Sequence, residues 1–317
     1  MNHSNMPSDL QQKFLERVKG PVFPIPTAFD QEGIVDFAGM EEYVRFLLDN
    51  GAQTLMVTVG TSRFDLLTVD EMKAINEIVV RTAKDRALTI LTTPTVGPTF
   101  QAVEFARHAE EIGADGILAV FPDRYYCDEA IYQFFKKVAG ACRIGVLIHE
   151  MPITAGRGGI GTKVQYSPSL ISRMAEIDNI VGLKEESHDP GLIYELNRRF
   201  TNRFLIIGGA GGMRAYMAAH HWGQPAYLTS IGNIEPGIEF YFFKKLQARE
   251  YEDAERIVME KESPFFKTAV AEGWHLALKA ALDIKGLMPG YERAPLMRPD
   301  MDARERINHV MQSIDLI

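Results

Sequence analysis

Eight short runs of almost uninterrupted apolar residues punctuate this chain, at 21–27, 54–58, 88–93, 116–121, 144–149, 180–184, 204–208 and 226–231. They recur about every 22 to 35 residues, with longer amphipathic stretches between them. A strand with one wet face alternates polar and apolar residues, so near-continuous apolarity marks parallel strands buried on both faces. The intervening stretches carry helical spacing. In 37–50, Met40, Tyr43, Val44, Phe46 and Leu47 fall on one broad face. The stretch 69–85 is opened by Thr68 with Glu71 three residues on, a capping-box pattern, and 100–112 is closed by Gly113. Eight alternating units predict an α/β fold, a (β/α)8 TIM barrel. The competing open, doubly wound sheet requires a glycine-rich first turn. The first run here leads instead into Pro26-Thr27-Ala28-Phe29.

A barrel of this type accounts for 17–235 of the 317 residues, preceded by a flexible N-terminal segment, 1–16. Residues 236–317, with helix-like runs at 241–259 and 269–284, form a helical C-terminal extension expected to pack on the barrel. The net charge of −8 and the lack of a basic stripe argue against a nucleic-acid partner. Met1 to Gln12 is polar without the basic-then-apolar order of a signal peptide, and no apolar run suits a membrane span, so a cytoplasmic protein is expected. Two cysteines, Cys127 and Cys142, are too few for a disulfide scaffold. His220 and His221 are adjacent and diverge by about 100° on a helix, so no metal site is expected.

Lys184 ends the sixth apolar run, in Ile180-Val181-Gly182-Leu183-Lys184-Glu185-Glu186-Ser187. A partly desolvated lysine loses some preference for its charged form, and the neutral amine can attack a carbonyl to form a Schiff base. The other reading is a lysine reaching solvent where a strand ends. His149 ends the fifth run, and neighbouring strands lie about 4.8 Å apart, so both side chains can reach one substrate carbon at the C-terminal mouth of a barrel. That pairing favours a catalytic lysine.

Several motifs align with this reading: Pro24-Ile25-Pro26-Thr27-Ala28-Phe29, Leu67-Thr68-Val69-Asp70-Glu71, Gly113-Ala114-Asp115-Gly116, and Asn179 through Glu185. Ser230-Ile231-Gly232-Asn233-Ile234-Glu235-Pro236 and the tail from Lys279-Ala280-Ala281 to Gly286-Leu287 complete them. Together they resemble, over nearly the whole chain, the dihydrodipicolinate synthase and N-acetylneuraminate lyase family of class I aldolases. Those enzymes join a lysine to pyruvate or another 2-keto acid as a Schiff base, without a cofactor. The resemblance implies that Lys184 is the Schiff-base residue and that Gly60, Thr61 and Ser62 hold the substrate carboxylate, with Ile231 in the same binding set. It implies a homo-oligomer, a tetramer or dimer, with Tyr125 or Tyr126 near a subunit boundary.

The chain also departs from the family. After the second run the family has Gly-Thr-Thr-Gly-Glu, whereas this chain has Gly60-Thr61-Ser62-Arg63-Phe64. Arg63 is open to two readings, a bidentate grip on a substrate carboxylate or a solvated loop residue. The family's Tyr-Asn-x-Pro is His149-Glu150-Met151-Pro152 here, which puts an imidazole where a tyrosine relays protons. His149 could equally be hydrogen-bonded within the barrel mouth, and Glu150 is expected to orient its neighbours. The segment 153–166 is longer than the family's and holds Gly156, Gly158, Gly159 and Gly161, either a mobile lid or a plain connection. Arg157 falls where the family places a carboxylate-binding arginine. Gly208-Gly209-Ala210-Gly211-Gly212 replaces the family's Gly-Asp-Asp, which suits either a phosphorylated or carboxylated substrate or close backbone packing.

The expected function is that of a class I lyase acting on a 2-keto acid substrate by aldol cleavage or condensation. Dihydrodipicolinate synthase activity itself is not expected, because both signature loops differ. Dehydration of a keto-deoxy sugar acid begins from the same imine and is the alternative. A non-catalytic keto-acid-binding or regulatory protein is the alternative from another class.

Overall fold

The computed structural model describes residues 6–122, 124–155, 163–200 and 202–317. All eight apolar runs form barrel strands: β1 (Gly20–Pro24), β2 (Thr54–Met56), β3 (Leu88–Thr92), β4 (Gly116–Ala119), β6 (Gly145–Glu150), β9 (Ile180–Glu185), β10 (Leu205–Gly208) and β11 (Ala226–Leu228). They close in the order β1-β11-β10-β9-β6-β4-β3-β2, and the registered pairs are parallel. Several strands stop short of the expected ends, because the residues after the last ladder bond stay buried while leaving the strand. Thr27, Thr58 and Val120 are all buried, and Thr58 turns out of the ladder at φ +54°. A loop buried at a barrel mouth is as apolar as a strand, so composition does not mark the boundary.

Three further short strands, β5 (Arg124–Tyr125), β7 (Ile153–Ala155) and β8 (Lys163–Val164), form a separate sheet in the order β5-β7-β8. β7 and β8 are antiparallel, so the two ends of the expected lid form a hairpin. The glycines at 156, 158, 159 and 161 lie outside the described residues, as does Arg157.

The outer helices follow the expected periodicity. α2 (Phe37–Asp49), α3 (Val69–Ala83) and α4 (Thr99–Glu111) are preceded by α1 (Asp9–Arg17) and followed by α5 (Asp128–Ala139), α6 (Pro168–Met174), α7 (Pro190–Phe200) and α8 (Gly212–His221). The α3 capping box forms as expected: Thr68 N–H donates to Glu71 Oε2 at 2.9 Å and Glu71 N–H to Thr68 Oγ1 at 3.2 Å. Gly113 takes φ +85° just beyond α4, a conformation that favours glycine.

The chain divides into two compact units that do not follow the expected boundary at 235. One comprises Met1–Lys19, Leu88–Ala210 and Ala218–Leu228; the other comprises Gly20–Ala87, Gly211–Met217 and Thr229–Ile317. In the second, β1 and β2 share a unit with α9 (Pro236–Gln247), α10 (Tyr251–Ile257), α11 (Ser263–Ala271), α12 (Trp274–Ile284) and α13 (Met301–Ser313). The buried Lys279 of α12 helps explain this, since its ammonium donates to the Thr27 carbonyl beyond β1. The expected run 241–259 is divided between α9 and α10, and 269–284 is broken at Gly273, φ +90°. A single π-helical turn, Val258–Glu262, joins α10 to α11.

In the first unit, the segment ahead of β1 carries α1. Ser8 caps α1 with a full capping box, and Gln11 Nε2 donates to the carbonyls of Ala175 and Ile180. Phe14 is fully buried against the paired glycines Gly116 of β4 and Gly145 of β6. Added Cβ atoms there would stand 3.1 and 2.6 Å from its ring, so two missing side chains make the seat. The sequence signal was a lone phenylalanine in a polar stretch, too little to show a partner about 100 residues away. Among the described residues, no helix is long and apolar enough to cross a membrane. Phe14→Ala should lower unfolding free energy by about 3–5 kcal/mol, the usual cost of emptying a buried aromatic site. Urea denaturation of the purified variant checks it, and a loss below about 1 kcal/mol would show that α1 is a loose appendage.

Candidate active site

Two adjacent strands build the site. β6 and β9 pair in parallel with His149 opposite Lys184 and Glu150 opposite Glu185. Side chains alternate along a strand, so His149 and Lys184 share one side and Glu150 and Glu185 take the other. Glu186, one residue past β9, keeps the alternation and returns to the side of Lys184. Its carboxylate spans the pair: Oε1 lies 2.7 Å from Lys184 Nζ and Oε2 lies 2.6 Å from His149 Nε2. Lys184 Nζ and His149 Nε2 are themselves 3.1 Å apart. Lys184 and His149 are 3% and 4% exposed, so these charges meet with little water between them.

Burial would raise the Glu186 carboxyl, but the Lys184 ammonium and the His149 contact outweigh it and hold the group well below the usual carboxylate range. Burial, reinforced by the Lys184 charge, lowers His149 below the ordinary histidine value despite the opposing pull of Glu186. The imidazole is therefore neutral at pH 7 and has a single N–H. A ring nitrogen 2.6 Å from a carboxylate oxygen carries that hydrogen, and this contact is shorter than the 3.1 Å approach of the Lys184 amine to the same nitrogen, so the geometry favours the Nε2–H tautomer. Nδ1 is left as a lone pair, buried with no hydrogen-bond partner among the described residues. The site thus combines an amine, a carboxylate that can take its proton, and an imidazole with a vacant basic nitrogen.

Behind this pair the carboxyls of Glu150 and Glu185 are buried together. Burial and the neighbouring Glu185 push Glu150 up to about 7, and one of its oxygens accepts the Tyr166 N–H at 3.2 Å. Glu150 thereby ties the end of β6 to the chain just beyond the β8 hairpin strand. Glu185 accepts hydrogen bonds from the N–H and hydroxyl of Ser187.

Three of the other predicted site residues, Ser62, Arg63 and Tyr125, have side-chain partners of their own. In the second unit, Gly60, Thr61 and Ser62 form a short 3-10 turn. Ser62 is buried, its hydroxyl donating to the Ile25 carbonyl and accepting from Val59 N–H, so its side chain fastens the turn. Arg63 already holds a carboxylate of the chain itself. It is 7% exposed, takes φ +61°, and grips Glu292 with two hydrogen bonds of 3.2 and 2.7 Å. The carboxylate that its fork fits belongs to the protein's own C-terminal segment. Ile231 is fully buried and opens a 3-10 turn, Ile231–Asn233.

The glycine-rich stretch after β10 also carries its own anion. Met213 and Arg214 N–H at the start of α8 donate to Glu262 at 2.7 and 2.9 Å. A carboxylate on exposed helix-terminal N–H groups satisfies the requirement that suggested a phosphate. Close packing is the reading that holds for Gly209 as well, where an added Cβ would meet Glu186 Cγ at 2.6 Å. Tyr125 bonds Asp128 through its hydroxyl at 3.0 Å, while Tyr126 is 64% exposed. Sequence reasoning overlooked Glu186, although the i, i+2 spacing from Lys184 was the available signal. Glu262 and Glu292 had none, because their partners lie 30 or more residues away.

Residues 17–314 match the model of the dihydrodipicolinate synthetase family. The 4-hydroxy-tetrahydrodipicolinate synthase of Syntrophus aciditrophicus is 27% identical over 302 residues, covering 94% of this chain and 99% of that protein. A protein described as a probable 5-dehydro-4-deoxyglucarate dehydratase, from Pseudomonas savastanoi pv. phaseolicola, is 27% identical over 290 residues, 88% of this chain and 90% of that one. In fold, the N-acetylneuraminate lyase of Fusobacterium nucleatum superposes with a TM-score of 0.84 at 20% identity, over 94% of this chain and 99% of that structure. With the match running through both the barrel and the C-terminal helices, the chain belongs to the dihydrodipicolinate synthetase family and is a lyase.

Proposed function

We propose that Lys184 forms a Schiff base with pyruvate or another 2-keto acid and that the enzyme cleaves or forms the bond next to that carbon as a class I aldolase. The supporting observation is the buried amine at the end of β9, held between a carboxylate and a neutral imidazole. A protonated imine withdraws electrons from the neighbouring carbon, which lets a carbon–carbon bond there break or form. Dehydration of a keto-deoxy sugar acid starts from the same imine, and the similarity to the Pseudomonas dehydratase keeps that reaction as the second reading. In this reading His149, whose Nδ1 is buried without a hydrogen-bond partner among the described residues, shuttles the proton that either reaction must move.

Borohydride reduction in the presence of pyruvate should add one pyruvate-derived mass to the peptide holding Lys184, and Lys184→Ala should abolish it. Persistent labelling in that variant would place the covalent residue elsewhere. His149→Phe should leave imine trapping in place while turnover falls by about 100-fold, the scale of a lost general acid–base. Because the imidazole is held below its ordinary value of 6.5, wild-type activity should persist on the acid side past that point. A pH–rate profile whose acid limb sits at or above the ordinary histidine value would remove His149 from the relay.

For assembly we propose a homo-oligomer, a tetramer or dimer, through the connections that follow β3 and β4. Val96 after β3, Phe100 in the first turn of α4 and Tyr126 after β5 are 70%, 66% and 64% exposed, and large exposed apolar side chains favour cover by a second copy. Light scattering should give a multiple of the 35.6 kDa chain mass; a single-chain mass with full activity would oppose it.

A further inference from the structure

Glu186 and Gly209 stand in no assigned role, yet they contact the site more closely than most of the residues that do. The Glu186 carboxylate is the group nearest the Lys184 amine, at 2.7 Å, and its other oxygen is held by His149. The backbone on both sides fixes it there: Glu186 N–H donates to the Glu150 carbonyl at 2.9 Å, and Gly209 N–H donates to the Glu185 carbonyl at 2.7 Å. Its side chain passes directly over Gly209. A Cβ at that position would stand 2.6 Å from Glu186 Cγ and 2.9 Å from the Glu185 carbonyl oxygen. Real Cβ atoms essentially never come so close, so any larger residue would push the carboxylate off the amine.

We propose that Glu186 is a further catalytic residue, the proton acceptor and donor at Lys184 Nζ during imine formation, and that Gly209 is a positioning residue whose missing side chain admits it. The proposal rests on the Schiff-base reading of Lys184. The ammonium first gives one proton to the Glu186 carboxylate. The freed amine attacks the carbonyl carbon of the keto acid; the new C–N bond uses the nitrogen pair, and the carbonyl π pair moves to oxygen. A second proton passes from nitrogen to that oxygen, giving a neutral carbinolamine. Glu186 then returns its proton to the hydroxyl, which leaves as water while the nitrogen pair closes the C=N bond. The iminium keeps one hydrogen on nitrogen and faces a carboxylate again, so charge and protons are the same before and after.

Three features fit this role together. Glu186 is ionised beside Lys184, so an unprotonated carboxylate oxygen stands 2.7 Å from the amine nitrogen. His149 donates Nε2–H to one carboxylate oxygen, which leaves the other for the amine. The hydrogen bonds to the Glu150 carbonyl and from the Gly209 N–H are both backbone contacts, so the carboxylate returns to one place after each cycle.

The test measures the rate of borohydride-trappable imine formation with pyruvate between about pH 6 and 8, in the full-length enzyme. Wild type should react at a rate nearly independent of pH. Glu186→Gln has no group that accepts the proton; its rate should fall about 10- to 100-fold at pH 7 and rise with hydroxide, while Glu186→Asp should recover part of the loss. Gly209→Ala, which retains the carboxylate but displaces it, should reproduce the slow, hydroxide-dependent reaction, and it decides the matter if Glu186→Gln does not fold. A wild-type rate and flat pH profile in a folded Glu186→Gln or Gly209→Ala variant would overturn the proposal while leaving the Schiff base intact. Loss of the Schiff-base reading is separately visible, as labelling that survives Lys184→Ala.

Discussion

Burial of the Lys184 ammonium is the constraint around which the active-site half of this barrel is arranged. A charge taken out of water costs several kcal/mol unless an opposite charge and hydrogen bonds meet it. Glu186 supplies the charge, His149 holds Glu186, and Gly209 leaves the space in which Glu186 can reach. Each of these residues makes sense only in the presence of the lysine.

The same principle operates twice more, with structural outcomes. Glu262 on the α8 N–H groups and Glu292 on the Arg63 guanidinium each satisfy a site that could otherwise take a substrate anion. The departures from the family pattern after β2 and β10 thus each meet a carboxylate of the chain itself. Arg63 and the glycine-rich stretch have their counter-charges within the chain, and the groups around Lys184 are where the unusual chemistry concentrates.

Much of the architecture was legible because it depends on local periodicity. Continuous apolar runs appear wherever both faces of a strand are covered, and the capping box at Thr68 and Glu71 is a contact between residues three apart. Lys184 and His149 were legible for a related reason: each ends a run, and consecutive β/α units put those ends side by side. Phe14 was not, since its seat is made by the absence of side chains at Gly116 and Gly145. The ends of several strands were also missed, because buried mouth loops are as apolar as the strands that they follow.

The sequence by itself determined the number and order of the β/α units, the family, and the lysine on which the chemistry turns, all of which follow from short-range pattern. Only the tertiary structure decided which carboxylate meets which cation. Glu262 and Glu292 look alike in a chain of 42 acidic residues, and nothing local separates them; Glu186 had only its spacing from Lys184. Their partners are chosen by distances of a few ångströms set by chain closure, since an ion pair in a buried site depends on where its two ends are brought and not on how far apart they are in sequence.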